Sequence, residues 1–233
     1  MQRPRVICHM MTSVDGRIVT NGWPLSAEAR REYEVVHGGY DADGWICGRV
    51  TMEPFAKKMR TEAEIASQYA GELPREDFIA PGEHESFAFA ADAFGRLAWE
   101  TNEIDGDHVV AILTERVSDD YLAFLRERGV SYLLAGAEDV DLPVALEKIG
   151  RLFGVKTLML EGGGRINGAM LNAGLIDELS VLIVPVSDGR VDTPTLFDID
   201  GNAVTPRKLA LVAVEHRAAD VVWLRYRVET DAG

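Results

Sequence analysis

The residues best suited to chemistry lie in the run Glu161-Gly162-Gly163-Gly164-Arg165-Ile166-Asn167. Three consecutive glycines let a chain turn sharply and let a ligand approach bare N–H groups, and they are not expected to serve packing. A helix that starts directly after such a turn offers unpaired N–H donors and the positive end of its dipole, which suits a phosphate or pyrophosphate. The alternative is a tight strand–helix connection that happens to be glycine-rich. EGGGRING is neither G-x-G-x-x-G nor G-x-x-x-x-G-K-[ST], so both readings stay open. Glu161, which the glycines cannot shield, reads either as a partner of the helix dipole or as a hydrogen-bond acceptor for substrate. Asp15, in SVDG, reads either as an Asp-Gly turn residue or as a carboxylate that receives the N–H groups of a heterocycle.

Other chemistries find no support. The five histidines form no H-E-x-x-H pair, and the serines show no G-x-S-x-G elbow, so a hydrolase triad is not expected. Glu103, Asp105, Asp107 and His108 lack the spacing of a metal loop and read as a solvated acidic segment. No metal is expected, and no side chain is assigned as catalytic. Cys8 and Cys47 sit in apolar runs and read as buried free thiols.

The elements that must position these residues alternate between strand and helix. Strands are expected at Val6–Met11, Arg17–Thr20, Trp45–Cys47, Phe87–Ala91, His108–Leu113, Ser131–Ala135, Thr157–Leu160 and Leu179–Val184. Helices are expected from Ser26 as N-cap to Val36, from Met52 to Met59, over 61–70, after Ser118, over Leu142–Phe153 and over Arg165–Asn172. Leu209–Glu215 and Val221–Val228 close the chain as a hairpin. The fold class is therefore α/β: a mixed, mostly parallel sheet with helices on both faces and a C-terminal hairpin. No linker divides residues 1–233, which read as one domain, and residues 60–85 read as a lid or insertion. In open α/β sheets ligands sit at the carboxyl ends of strands. Met11–Asp15, Gly48–Thr51, Asp92-Ala93, Thr114, Gly136 and Glu161–Arg165 all fall there and could line one cleft.

The chain of 233 residues carries a net charge of −14. Such a surface repels nucleic acid and anionic lipid, and an anionic cofactor would need a local basic or dipolar pocket. No apolar run reaches bilayer length, so a cytoplasmic protein is expected, with neither nucleic acid nor membrane as partner.

Four motifs then form a recognisable pattern: SVDGRI, W-x-x-S followed by ARRE (Trp23–Glu32), G-x-x-T at Gly48–Thr51, and EGGGRINGAMLNAGLIDEL. Together they resemble the reductase domain of riboflavin biosynthesis, the pyrimidine reductase branch of the dihydrofolate reductase-like superfamily. The resemblance implies a dihydrofolate reductase-like fold, a homodimer, and hydride transfer from NADPH, in preference to NADH, to a pyrimidine- or pterin-like small molecule. The implied activity is similar to that of 5-amino-6-(5-phosphoribosylamino)uracil reductase. By position it assigns Met11, Trp23, Arg49, Thr51, Ala93, Gly136, Gly162, Gly163, Gly164, Arg165, Ile166 and Asn167 to the dinucleotide, and Asp15 and Glu161 to the substrate pocket. The chain departs from the family at three places. His37 replaces an arginine, Phe55 in MEPFAKKMR falls where an Asp of an Asp-Asp-Pro segment is expected, and Ala93 replaces a serine at the cofactor's 2′-phosphate. Lys57, Lys58 and Arg60 could supply the missing cations at the substrate end, and Arg49, Arg96 or Arg116 at the cofactor end. Two alternatives remain: the same fold and cofactor with an unrelated small-molecule substrate, or a non-catalytic nucleotide-binding module.

Overall fold

Short apolar runs flanked by glycine, proline and acidic residues become buried strands, and serines and aspartates at their downstream ends start the helices. The computed structural model describes residues 3–56, 72–199, 204 and 206–229. They fall into two compact units, one built from the chain start to Pro4 and from Asp43–Lys156, the other from Arg5–Ala42 and from Thr157 onward.

The first unit holds β2 (Gly44–Gly48), α2 (Arg49–Ala56), β3 (Phe87–Ala91), β4 (Glu103–Ile104), β5 (Asp107–Leu113), α3 (Asp119–Glu127), β6 (Ser131–Leu134) and α4 (Leu142–Leu152). Strands β2, β3, β5 and β6 pair in parallel. Parallel strands covered on both faces need continuous apolar sequence, and Val109 to Leu113 are wholly buried. Ser118 caps α3 by accepting from Tyr121 N at 3.3 Å, and Asp141 caps α4 by accepting from Val144 N at 3.1 Å. Helix α3 turns Tyr121, Leu122 and Leu125 into a core shared with Leu97, Trp99 and Leu113.

The second unit holds β1 (Arg5–Thr12), α1 (Ala27–Gly38), β7 (Thr157–Leu160), α5 (Gly164–Asn172), β8 (Glu178–Ile183), β9 (Leu209–His216) and β10 (Val222–Val228), in strand order β7-β1-β8-β10-β9. Strand β1 is parallel to β7 and β8; β10 runs antiparallel to β8 and β9. Ser26 caps α1, accepting from Ala29 N at 3.1 Å. Ala29 and Val36 of α1 pack with Met11, Trp23, Leu182 and Val184.

Three expectations need correction. Arg17–Thr20 is not a strand: its residues are half-exposed, and only Arg17 makes an isolated bridge, to Thr195. The acidic segment is a hairpin rather than a solvated loop. Glu103 and Ile104 pair antiparallel with His108 and Asp107 across Asp105-Gly106, whose positive φ values of 51° and 101° give the tight turn its hand. Helix α2 starts at Arg49, directly after β2, rather than at Met52. The expected end of that helix and the helix over 61–70 lie outside the described residues.

Candidate active site

Helix α1 sets Arg30, Tyr33, Glu34 and His37 at i, i+3, i+4 and i+7, one face of an α-helix. Arg30, Tyr33 and Glu34 line a cavity of about 310 Å³ together with Met10 and Met11 of β1 and Glu161 at the end of β7. Within it, the Tyr33 hydroxyl donates to Glu161 Oε1 at 3.0 Å and lies 3.2 Å from the His9 carbonyl. His37 Nε2 stands 3.6 Å from the same Oε1.

Below the cavity floor lies a buried polar chain. His9 is wholly buried, its ring 4.3 Å from that of Tyr33. Its Nε2 is 3.2 Å from the Tyr33 carbonyl, which can only accept, so Nε2 carries the proton. Nδ1 therefore accepts from the Ser180 hydroxyl at 3.0 Å, and Ser180 Oγ in turn accepts from Trp223 Nε1 at 2.9 Å. Burial pushes the His9 pKa down to about 4, so this imidazole is neutral in the folded protein. Burial, with the Glu161 carboxylate adding to it, pushes the neighbouring Cys8 thiol up and keeps it unreactive. Cys8 and Cys47 are both buried free thiols.

In the other unit, burial pushes His108 down to about 4 as well, with the stacked His84 ring at 3.7 Å as the second cause. An unfolded chain protonates both histidines near their ordinary pKa of about 6.5. Between there and about 4 the unfolded state binds more protons, so stability falls as pH drops through that window. Asp92 works in the opposite sense, because burial raises its carboxyl. The histidine contribution is isolated by comparing melting temperatures of wild type and His9→Gln. The wild type should lose more stability between pH 6.5 and 4 than the variant; parallel pH profiles would contradict this assignment.

The glycine run is more structural than its composition suggests. Gly162 has a φ of +94°, and the Gly162–Gly163 peptide is cis. A Cβ on Gly164 would stand 2.4 Å from the Thr195 carbonyl oxygen and 2.5 Å from Asp198 Oδ2, and one on Gly168 would stand 2.4 Å from the Asp198 carbonyl oxygen. The expectation that these glycines do not serve packing is thus wrong for Gly164: the segment 195–198 lies against the start of α5. Asn167, also buried, holds that segment by donating to the Leu196 carbonyl at 3.1 Å. Ile166 faces inward too. Gly163 and Arg165 are the members of the run left accessible. Gly163 is the N-cap of α5 and gives it no side-chain cap, so the first N–H groups of the helix are not claimed by a capping side chain.

The remaining sequence-nominated residues fall as follows. Asp15 is exposed, and its two oxygens accept from Asp188 N at 2.9 Å and Gly189 N at 2.8 Å. Those bonds draw its pKa down to about 2. Trp23 is 7% exposed and donates to Asp188 Oδ2 at 2.6 Å, so Asp15 and Trp23 brace the same turn. Met11 lines the cavity with Glu161. In the first unit Arg49 begins α2 and pairs with Glu53, and Thr51 is half-buried on the same helix. The Ala93 carbonyl accepts from Thr114 Oγ1 at 2.7 Å. Gly136, at φ +99°, packs against the Asp139 carbonyl, where a Cβ would come within 2.1 Å. Sequence reasoning missed Arg30, Tyr33 and Glu34 as cavity residues; their i, i+3, i+4 spacing was the available signal. Among the described residues no group of three or more His, Cys, Asp or Glu could hold a metal, and no helix is long and apolar enough to cross a membrane.

Comparison with known proteins identifies the family. Residues 4–223, spanning both units, match the family described as the RibD C-terminal domain. A 2,5-diamino-6-ribosylamino-4(3H)-pyrimidinone 5′-phosphate reductase of Archaeoglobus fulgidus is 38% identical over 84% of this chain and 87% of its own length. One of the same name from Methanothermobacter thermautotrophicus is 29% identical over 85% of this chain and 86% of its own. The crystal structure of a pyrimidine reductase-like protein from Corynebacterium diphtheriae superposes with a TM-score of 0.70 at 17% identity, covering 98% of this chain and 93% of that one, which shows the shared fold. By sequence and by fold, the chain belongs to the RibD C-terminal domain family of reductases.

Proposed function

We propose that the chain is an oxidoreductase that uses NADPH to reduce a phosphorylated ribosylaminopyrimidine of the kind its curated relatives are named for. Residues 1–233 act as one reductase domain in this reading, supported by a family match that runs through both units. The observation that carries it is the cavity, which sets the Glu161 carboxylate and the exposed Arg30 side chain on the same walls. A carboxylate suits the N–H groups of a diaminopyrimidinone, and an unburied guanidinium suits a phosphate. Arg30 thus offers the cation that His37 does not supply as an arginine.

The residues present fit a dinucleotide. Gly163, half-exposed and without a side chain, is the N-cap of α5, where a pyrophosphate would be held by backbone N–H groups, with the exposed Arg165 beside it. The family resemblance also assigns Arg49, Thr51, Ala93 and Gly136, all of the first unit, to the cofactor. NADPH rather than NADH is supported by Arg96, exposed after β3 with its guanidinium 5.6 Å from the Phe94 ring; Arg116, after β5, is paired with Glu138. When bound, the nicotinamide supplies the hydride; the protein supplies orientation, water exclusion and a proton. Asp15 is proposed for the substrate on the resemblance alone: its two oxygens accept from the 188–189 turn, and it is not among the residues that line the cavity.

The same reading makes the protein a cytoplasmic homodimer. Leu211, Val212 and Val214, more than half exposed on edge strand β9, offer the apolar surface for a second copy. Sedimentation should give twice the chain mass; a monomer at micromolar concentration would contradict it.

The functional test is loss of NADPH absorbance on adding 2,5-diamino-6-ribosylamino-4(3H)-pyrimidinone 5′-phosphate. Turnover with NADPH and markedly less with NADH is expected. NADPH binding without turnover of this pyrimidine would favour an unrelated small-molecule substrate, the reading that His37 in place of arginine favours.

A further inference from the structure

We propose that His37 returns the proton to Glu161 during turnover, and that Tyr33 is the positioning residue that holds Glu161 for this exchange. The proposal rests on the reductase reading above. Reducing a carbon–heteroatom double bond adds a hydride to carbon and a proton to the heteroatom. The nicotinamide gives the hydride and is left oxidised. The proton must come from a protein group that reaches both substrate and solvent.

Glu161 is the carboxylate at the cavity wall, and its side chain is only 16% exposed, so a proton it hands to substrate must reach it through a neighbouring group. Two imidazoles lie close by, His9 against the Tyr33 ring and His37 against Glu161 itself. His9 is unsuited: it is wholly buried, neutral, and fixed as the Nε2–H form between the Tyr33 carbonyl and Ser180. His37 has what His9 lacks. Its Nε2 is buried, makes no hydrogen bond among the described residues, and points at Glu161 Oε1 from 3.6 Å. The rest of the ring is reachable, since the side chain as a whole is 31% exposed. A displacement of about half an ångström brings Nε2 to hydrogen-bond distance. The Tyr33 hydroxyl, 3.0 Å from the same Oε1, fixes the carboxylate so that this short movement suffices.

The step balances. The Glu161 carboxylate takes a proton from His37 Nε2 and hands it to the substrate heteroatom, ending again as carboxylate. His37 replaces the proton it gives from Nε2 with one taken from solvent. The groups around His37 leave this exchange to Glu161. From β1 the neutral His9 ring faces it, at 6.1 Å. On its own helix Tyr33 and Glu34 stand one turn away and Arg30 two turns away. On the flank of α1 that meets the turn before β10, Arg217 is held by Glu32, and Asp220 pairs with His216.

The test uses the full chain and steady-state NADPH oxidation with the pyrimidinone phosphate across pH. His37→Gln should lower kcat by about 100-fold near neutral pH, the lower end of general acid–base effects. KM for NADPH should stay within about twofold, since no cofactor contact is touched. His37→Ala should recover rate when free imidazole is added, with a pH dependence that follows the imidazolium. Tyr33→Phe should lower kcat less, about tenfold, and should change the shape of the pH–rate profile. If wild type turns over while His37→Gln keeps its kcat and pH profile, or His37→Ala gains nothing from imidazole, the relay is overturned and the reductase reading stands. If wild type does not oxidise NADPH, both fall together.

Discussion

Gly163→Val is expected to weaken NADPH binding by at least tenfold, about 1.4 kcal/mol, while the protein keeps its fold. The position has a φ of −71° and an extended ψ, which any residue adopts, and it is half-exposed. A valine there puts a branched side chain over the N-terminal N–H groups of α5, where the pyrophosphate is proposed to lie. Gly164→Ala is the contrasting change one residue on. Its Cβ would meet the Thr195 carbonyl at 2.4 Å, so the 195–198 segment must shift. A loss of about 1–3 kcal/mol in stability is expected. Fluorescence titration with NADPH and chemical denaturation separate the two outcomes. Unchanged NADPH affinity in a well-folded Gly163→Val protein would remove the pyrophosphate site from this turn.

Glu161→Gln should lower kcat by about 10²–10³-fold, because an amide cannot give up the proton a carboxylic acid gives. The substitution keeps an oxygen for the Tyr33 hydroxyl, which now reaches Oε1 at 3.0 Å, so the cavity wall should persist. NADPH affinity should stay within about twofold of wild type, since the change touches the substrate end. Near-wild-type turnover would mean that Glu161 is a passive wall residue and that the proton comes from elsewhere.

The fold was legible where one physical rule decides the outcome locally. Val109 to Leu113 and Leu158 to Leu160 are apolar without interruption because both faces of their strands are covered. Ser26 and Ser118 announce helices because their side chains satisfy the N–H groups those helices leave open. Reading failed where the deciding partner is distant. Arg17–Thr20 has the look of a strand, but only Arg17 finds a bridging partner, at Thr195. The hairpin at Glu103–Asp107 was hidden because two-residue β4 carries no periodic pattern, and its Asp-Gly turn was lost among acidic neighbours.

The site divides in the same way. The glycine turn and Glu161 stood out as sequence, yet the reason for Gly164 lies some thirty residues on, at Thr195 and Asp198. Tyr33 lies outside every motif named from the sequence, yet it meets Glu161 across a separation of 128 residues. His37 was noticed only as a departure from the family. Its relation to Glu161 required the fold of α1 over the end of β7.

The central claim, that the chain moves a hydride from a nicotinamide to a pyrimidine, is tested most directly by a single turnover with NADPH deuterated at the transferring position of the nicotinamide. Mass spectrometry of the product reads the outcome. The account predicts that the deuterium is carried into the reduced ribosylaminopyrimidine phosphate and that no label is lost to water. Product formed without deuterium, or NADPH bound and left unoxidised in the presence of this substrate, would contradict it.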